Sequence, residues 1–525
     1  MSSKEPEALI VIDNFSGGLN LRDSPIALRV SESRLIENVD WYAPHQLKPR
    51  RGITDPDEGV KALSSPAHTL IEYCKYSGQL YYVHYYEQSA GKPPALKRIL
   101  GSSGAASVDL PAPVNNLFIF PPKIVECSTG LVSKLLIACG DNTLQAFDGT
   151  AVAAVTGTPP SNASFVEVHK RRVWTLGYLG ETLSFSALND YNDWASIDNA
   201  GSIVVPKKET CWTGLKSDGD HLYLFTQSHI YIIMGDDPFS FQVIDVPGEI
   251  GCISSESVVC VTPPGSPPVI MFAARDGFYA VRGQSIQRIS DDAFPDADLL
   301  KISAYGSYPL PWIRGAQHKN CVFFTCAALD GSGATYTCTD YTDYVYNLET
   351  GTWCTMVPAT DVGKILSVLS YRKDGRLFGI SQTRDRLVQL PARPPTTLGS
   401  PDASALNDST SGYTAVQVAM KYQTPQISPK SLGLRKWEKR FYILAEKCGG
   451  SLIITPVIDG VVITAAAQTV AVGTGGGQVV ISKTMADVAQ GRTIGLQIQF
   501  DGITSGQNQL IRRVEIYVDA IGAAY

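Results

Sequence analysis

The chain has 525 residues, enough for two or three domains with a sizeable core, and its 44% hydrophobic content excludes a disordered scaffold. Only 18% of residues are charged, against about 25% in an average soluble domain, which implies that part of the surface is covered by copies of the chain or by neighbours. The net charge of −6 argues against a protein that grips nucleic acid through a broad basic face.

The first 58 residues read as an extended arm with one short helix. Gly17, Gly18, Pro25 and Pro44 interrupt any continuous element, while Ile10, Ile12, Phe15 and Leu19 are apolar and need cover. The run SESRLIENV at 31–39 predicts a helix, with Ser31 as N-cap and Leu35, Ile36 and Val39 on one face. The run ALIVI at 8–12 predicts a strand, either in the arm or closing a β-propeller ring by pairing with a late strand. The opening residues lack a basic segment followed by an apolar one, so no secretory signal is expected. No run of about 18 apolar residues occurs, so no membrane span is expected.

Residues 59–395 read as serial β-hairpins. Aromatic and β-branched runs flank turn residues at 77–78, 140–142, 227–228, 276–277, 283–284 and 374–375. Asp-Gly pairs begin at 148, 218, 276, 330 and 374, a spacing of roughly 45–70 residues, which is the scale of a propeller blade. Hairpin units without crossover helices close most naturally as a β-propeller, here of six to eight blades, with a sandwich as the second choice. Residues 396–411 are rich in Ser, Asp and Ala within a longer Pro- and Thr-containing stretch and read as a linker. Residues 412–525 alternate apolar and polar with period two, as in a C-terminal β-sandwich; few packing contacts are expected to cross the linker. A second, weaker helix is expected at 482–491, and the strand at 512–520 sets Arg513, Glu515, Tyr517 and Asp519 against Val514, Ile516 and Val518. The fold class is therefore all-β throughout.

The eleven cysteines are odd in number and show no CxxC spacing. Cys127, Cys139, Cys252, Cys260, Cys321 and Cys326 lie in apolar or alternating runs and read as small buried hydrophobes, in keeping with folding in a reducing cytoplasm. No catalytic constellation, cofactor motif or metal-ligand spacing emerges, so the expectation is no enzyme, no cofactor and no resident metal. The glycine tract at 472–480 has neither the Lys nor the helix of a phosphate cradle. The run YNLETGTW at 346–353 loosely resembles the Asp-box turn of sialidase propellers and reads as a blade turn with a packed Trp353. Asp292, Asp296 and Asp298 could supply oxygen ligands to a cation, although a solvated loop is preferred. The basic clusters at 48–52, 169–173 and 434–440 are short and read as solvated or interface faces.

The arm sequence FSGGLNLRDSPIALRVSESRLIENVDWY, followed by LKPRRG, resembles the opening of many phage tail and head-completion proteins, through Gly17, Gly18, Leu19, Asn20, Pro25, Asn38, Arg51 and Gly52. The segments at 166–194 and 222–259 resemble two further blades of the same group. The overall plan is similar to the DNA-stabilising tail-hub and nozzle proteins of short-tailed phages. That resemblance implies a structural virion protein, made in the host cytoplasm and placed in the tail. It implies a homo-oligomeric ring, commonly a hexamer, around the DNA exit channel, with head–tail adaptor or tail-fibre proteins as neighbours and double-stranded DNA passing through non-specifically. A glycan-binding or glycoside-cleaving tail propeller is the rival reading, and a bacterial surface or adaptor propeller the third.

Overall fold

The structure, a computed structural model, describes residues 8–56 (Pro44 excepted), 61–63, 67–73, 79–84, 95–100, 107–109, 122–129, 132–140, 143–294 (Lys207 excepted), 312–330, 337–358, 365–372, 375–381, 386–390, 407–408, 416–428, 437–446, 450–473, 477–485, 493–501 and 510–520. Strands dominate, and the helical elements among these residues are single 3-10 turns, Ser255–Ser257 and Thr464–Ala466.

Seven up-and-down antiparallel sheets follow one another along the described chain. Blade 1 begins with strand Ala67–Tyr73, blade 2 with Lys123–Thr129 and blade 3 with Phe165–His169. Blade 4 begins with Gly214–Ser217, blade 5 with Val259–Val261, blade 6 with Trp312–His318 and blade 7 with Ile365–Ser370. These first strands pack side by side around an axis, and blade 7 returns to blade 1, so the sheets close as a β-propeller. The ring is latched by strand Lys61–Ala62, which supplies the fourth strand of blade 7 by pairing with Arg386–Leu390. The run at 8–12, considered for that closing role, does not perform it. Ala8–Ile12 pairs instead with Ile511–Ala520 at the edge of the C-terminal sandwich.

The blades form where the sequence alternates and the turns suit it. Lys170 and Arg171 both adopt positive φ between Phe165–His169 and Arg172–Leu176, the geometry of a two-residue hairpin. Between strands Ser451–Ile458 and Val461–Val462 of the sandwich, Asp459 and Gly460 do the same, at φ 49° and 84°. Trp353 sits just beyond the turn at 347–351 and is 3% exposed, the packed blade-turn Trp expected there.

The sandwich consists of two facing sheets. One runs Ala8–Ile12, Ile511–Ala520, Trp437–Glu446, Gln478–Met485 in spatial order. The other holds Lys421–Gln423, Ile494–Asp501 and Ser451–Ile458. Phe441, Ile443, Val514 and Ile516 from the first meet Leu452, Ile454, Leu496 and Ile498 from the second in one buried core. Arg513, Glu515 and Tyr517 face away from that core, as the alternation predicts.

Two helix expectations are corrected. At 31–39 the chain forms two short strands, Glu32–Ser33 and Ile36–Glu37. Glu37 pairs with Thr355 of blade 6 on one side and with Lys421 of the sandwich on the other. Two waiting sheet edges outweigh a local helical preference worth only tenths of a kcal/mol per residue, roughly, in this composition. At 482–491 the residues up to Met485 belong to strand Gln478–Met485, and 486–491 lie outside the described residues. The bridging strand makes blade 6 and the second sandwich sheet one continuous ten-stranded sheet. Contacts between propeller and sandwich are therefore extensive, contrary to the expectation from the linker; they are carried by the arm.

Candidate functional site

Two places concentrate buried polar chemistry: the propeller axis, and the junction where the arm ties blade 6 to the sandwich.

The first strands of all seven blades, with the Ser255–Ser257 turn, enclose an axial cavity of about 700 Å³. Its charged groups pair between blades. Lys216 of blade 4 donates to Glu167 of blade 3 at 2.9 Å, and that carboxylate holds the Lys216 ammonium above its ordinary value. Arg372 of blade 7 reaches Glu72 of blade 1 at 3.1 Å and Glu126 of blade 2 at 3.0 Å. Lys123 of blade 2 pairs with Glu256, just before blade 5, so this contact crosses the axis. Burial works upward on the Glu256 carboxyl, but Lys123 and the neighbouring Arg314 carry it below the usual range. With the neighbouring Arg314 counted, four cations face four carboxylates in this set. The pairs bridge successive blades, and the Lys123–Glu256 pair spans the cavity between blade 2 and the turn before blade 5. None of these pairings was legible beforehand, because each joins residues of different blades.

The junction gives the arm motif a physical meaning. Gly18 has φ +70°, and a Cβ there would lie 2.5 Å from the Thr352 Cβ of blade 6. Only glycine fits. The Asn20 side chain, buried, donates to Glu32 and Asp23, each at 3.1 Å. The Pro25 carbonyl accepts the Gln426 N–H at 2.9 Å, and Ser33 Oγ donates to the Gln423 carbonyl at 2.8 Å. Asn38, at φ +56°, donates to the Ala419 carbonyl while its Oδ1 accepts from Val357 N and Arg50 Nε, both at 2.9 Å. One side chain thereby joins arm, blade 6 and sandwich.

Arg50, in the basic run read as a solvated or interface face, is 1% exposed and also donates to the Arg51 carbonyl at 2.9 Å and the Val357 carbonyl at 3.3 Å. Its neighbour in sequence, Arg51, is only half-buried, so the run alone does not tell which arginine goes inside. Tyr42 and His318 complete the lock. The Tyr42 hydroxyl meets His318 Nδ1 at 2.5 Å, and His318 Nε2 reaches the Gly375 carbonyl of blade 7 at 2.9 Å. With Nε2 donating, Nδ1 accepts from Tyr42, and burial pushes the imidazole pKa down, in keeping with a neutral ring.

Other sequence candidates fall into ordinary roles. The Asp292 carboxylate forms an ion pair with Arg22 at 2.6 Å, and its backbone carbonyl accepts from Leu21 and Arg22. Asp296 and Asp298 lie outside the described residues, among which no cluster of three or more His, Cys, Asp or Glu could hold a metal. Of the six cysteines read as buried hydrophobes, Cys127, Cys139, Cys252, Cys321 and Cys326 are buried free thiols, and Cys260 is half-buried. Asn347 caps the turn at 347–350 by accepting from Glu349 and Thr350, and donates to the Trp41 carbonyl of the arm at 2.9 Å. Among the described residues no helix is long and apolar enough to cross a membrane.

No family model and no curated protein matches the chain. Solved structures give distant matches. The computationally designed Ika8 protein is 9% identical with a TM-score of 0.36, covering 65% of this chain and 99% of its own. Raptor of Chaetomium thermophilum is 9% identical with a TM-score of 0.38, covering 66% and 29%. A chain of the mitotic checkpoint complex is 8% identical with a TM-score of 0.36, covering 75% and 96%. At this distance the likenesses carry no function, and the chain's architecture, a seven-bladed propeller fused to a β-sandwich, rests on its own strand order.

Proposed function

We propose that this chain is a structural, non-enzymatic component of a phage virion, a subunit of a tail-hub or nozzle ring around the DNA exit path, with six copies favoured. The observation that carries the reading is the arm. Of the residues through which it resembles phage tail and head-completion proteins, Gly18 packs against blade 6, Pro25 bonds the sandwich, Asn38 bonds both, and Asn20 braces the arm between them. A subunit that must hold a fixed shape under load benefits from two bodies joined by a shared sheet. The axial ion pairs support the same reading, since they spend the charges of the cavity on inter-blade bracing. Because the Lys123–Glu256 contact crosses that axis, DNA passes between copies around the ring axis and not through any one propeller. The net charge of −6 per chain, repeated around a ring, disfavours adhesion to phosphate.

The test is co-purification from infected cells. Recovery with portal, adaptor or fibre proteins, in a particle six times the 56.7 kDa chain mass, is the expected result. Recovery as a lone chain, absent from purified virions, overturns it.

A further inference from the structure

The first sandwich sheet ends in two open edges. Ala8–Ile12 at one side and Gln478–Met485 at the other each pair with a single strand among the described residues. A free edge offers a row of backbone N–H and C=O groups to any other chain, and proteins that keep one exposed blunt it with charges, proline or a bulge. These two strands read ALIVI and QVVISKTM. Together they hold one charged residue, Lys483, and no proline or glycine. Neither pairing contains a bulge. Val480 is 62% exposed on the second strand, with Gln478 and Ser482 exposed on either side of it. Edges this plain are shaped for pairing.

The strand count says which strand fits. Each step across Ala8–Ile12, Ile511–Ala520, Trp437–Glu446 and Gln478–Met485 is antiparallel, so in this four-stranded sheet the two edge strands run in opposite directions. A second copy set beside the first in the same orientation therefore brings its own Ala8–Ile12 antiparallel to Gln478–Met485. An odd number of strands would have made that join parallel.

The faces agree as well. One apolar row, Ile12, Val514, Ile443 and Ile481, crosses the sheet from edge to edge, and all four are buried. The adjacent row, Val11, Glu515, Tyr442 and Ser482, lies on the opposite, outer face. A join that puts Val11 of one copy on the face of Ser482 of the next keeps the apolar rows over the cores of both sandwiches. A slip of one residue would turn the added strand over, so the pattern selects the register by face. The backbone supplies the bonds, and the side chains set only the face.

We propose that Gln478–Met485 of one copy pairs with Ala8–Ile12 of the next, so that the first sandwich sheets of neighbouring copies form one antiparallel sheet. The contact uses two different edges and so closes into a ring or runs on as a filament. It rests on the ring reading and names the contact that makes it.

The test is cross-linking of the full chain. Val11→Cys is combined with Val480→Cys in one variant and with Ser482→Cys in another, all three positions lying on the outer face. Side chains opposite or diagonal across a strand pair lie about 5–8 Å apart, within reach of a short bismaleimide. At least one double variant should give a ladder on a denaturing gel that ends at six chains. The unaltered chain and the single variants, which control for the native thiols, should not. Light scattering reads the size of the unaltered chain separately, with six times 56.7 kDa expected. Assembly to that size with no ladder from either double variant overturns the join and leaves the ring reading standing. Dimers specific to Val480→Cys or Ser482→Cys alone would mean that this edge pairs with its own copy, which also overturns the join. A ladder that runs past six, in particles heavier than six chains, supports the join and counts against the ring. An unaltered chain that stays single at every concentration overturns the join and the self-assembled ring together.

Discussion

Blades 3 and 4 and the blade 6 junction are both tightly packed, but they are built in opposite ways. Trp174, Phe185, Trp212, Leu224 and Tyr231 form a core whose buried members all lie between Phe165 and Ile233. The core at the junction draws on Ile12, Phe15, Trp41, Phe278, Trp353, Tyr422, Phe441 and Ile516, from almost the whole chain. The contrast extends to polar contacts. Arg172 in blade 3 donates to the Ser186 carbonyl 14 residues away, whereas Asn38 donates to a carbonyl 381 residues away. Local hairpins can form blade by blade, while the junction exists only when both ends of the chain have arrived.

The largest expected effect follows from this difference. Residues 412–525 expressed alone lack the edge strand Ala8–Ile12 and the bridging strand Ile36–Glu37, and they expose a core that Phe15 and Tyr422 otherwise share at 5.4 Å. The fragment should lack a cooperative melting transition, and adding residues 1–58 as a separate peptide should restore one. This revises the sequence-based expectation of a separable domain. A sharp melt of the bare fragment would show that the arm is dispensable.

Next in size is Arg50→Met. The change removes the donor to Asn38 Oδ1 and to the Arg51 and Val357 carbonyls in a buried site, and should cost about 3 kcal/mol by chemical denaturation. An effect below about 1 kcal/mol would mean that water replaces the guanidinium and that the junction is looser than its geometry.

Within the blades, the sensitive group is His169. It is 1% exposed, its Nδ1 lies 2.9 Å from Ser217 Oγ, and burial pushes its pKa down from 6.5 to about 4. The folded state keeps this ring neutral while the unfolded chain takes up a proton below about 6.5. Stability from this group is therefore intact above pH 6.5, falls as the pH drops toward 4, and levels off below. By pH 5 the loss should be about 2 kcal/mol. Comparing His169→Gln with the unaltered chain at pH 7.5 and 5 isolates it; equal losses in both proteins would assign the effect elsewhere.

The same contrast explains what could be read from the sequence. Turns at Gly149, Gly219, Gly277 and Gly375 were legible because positive φ is a local demand, and each has it. The sandwich was legible because inward residues alternate with outward ones. The strands of the arm were not, since Leu35, Ile36 and Val39 fit a helical face as well as they fit two distant sheet edges. Among candidate site residues, Gly18, Asn20 and Asn38 stood out in the sequence only as carriers of a resemblance, which does not say that they face inward. Glu32 and Arg50 were missed, because their burial depends on Asn20 and Asn38 and not on their own neighbours in sequence.

The smallest effect tests whether the axial pairs act as struts. Lys216 and Glu167 join blades 4 and 3, with side chains 31% and 11% exposed. Lys216→Met leaves the better-buried carboxylate without its cation and should destabilise by about 1–2 kcal/mol. Glu167→Gln leaves a more accessible ammonium that can reach water, so its cost should be smaller. The double variant removes the desolvation of both charges along with their attraction, and should come close to the unaltered protein. A double-mutant cycle by chemical denaturation should then return a coupling close to the sum of the two single costs, about 2 kcal/mol, above the range of fully exposed pairs. The coupling should shrink in high salt only modestly, because the cavity shields the pair better than open solvent would. If the two single changes simply add, the pair is incidental. Blade spacing would then rest on apolar contacts alone, such as those of Leu215 and Phe165 in the shared core.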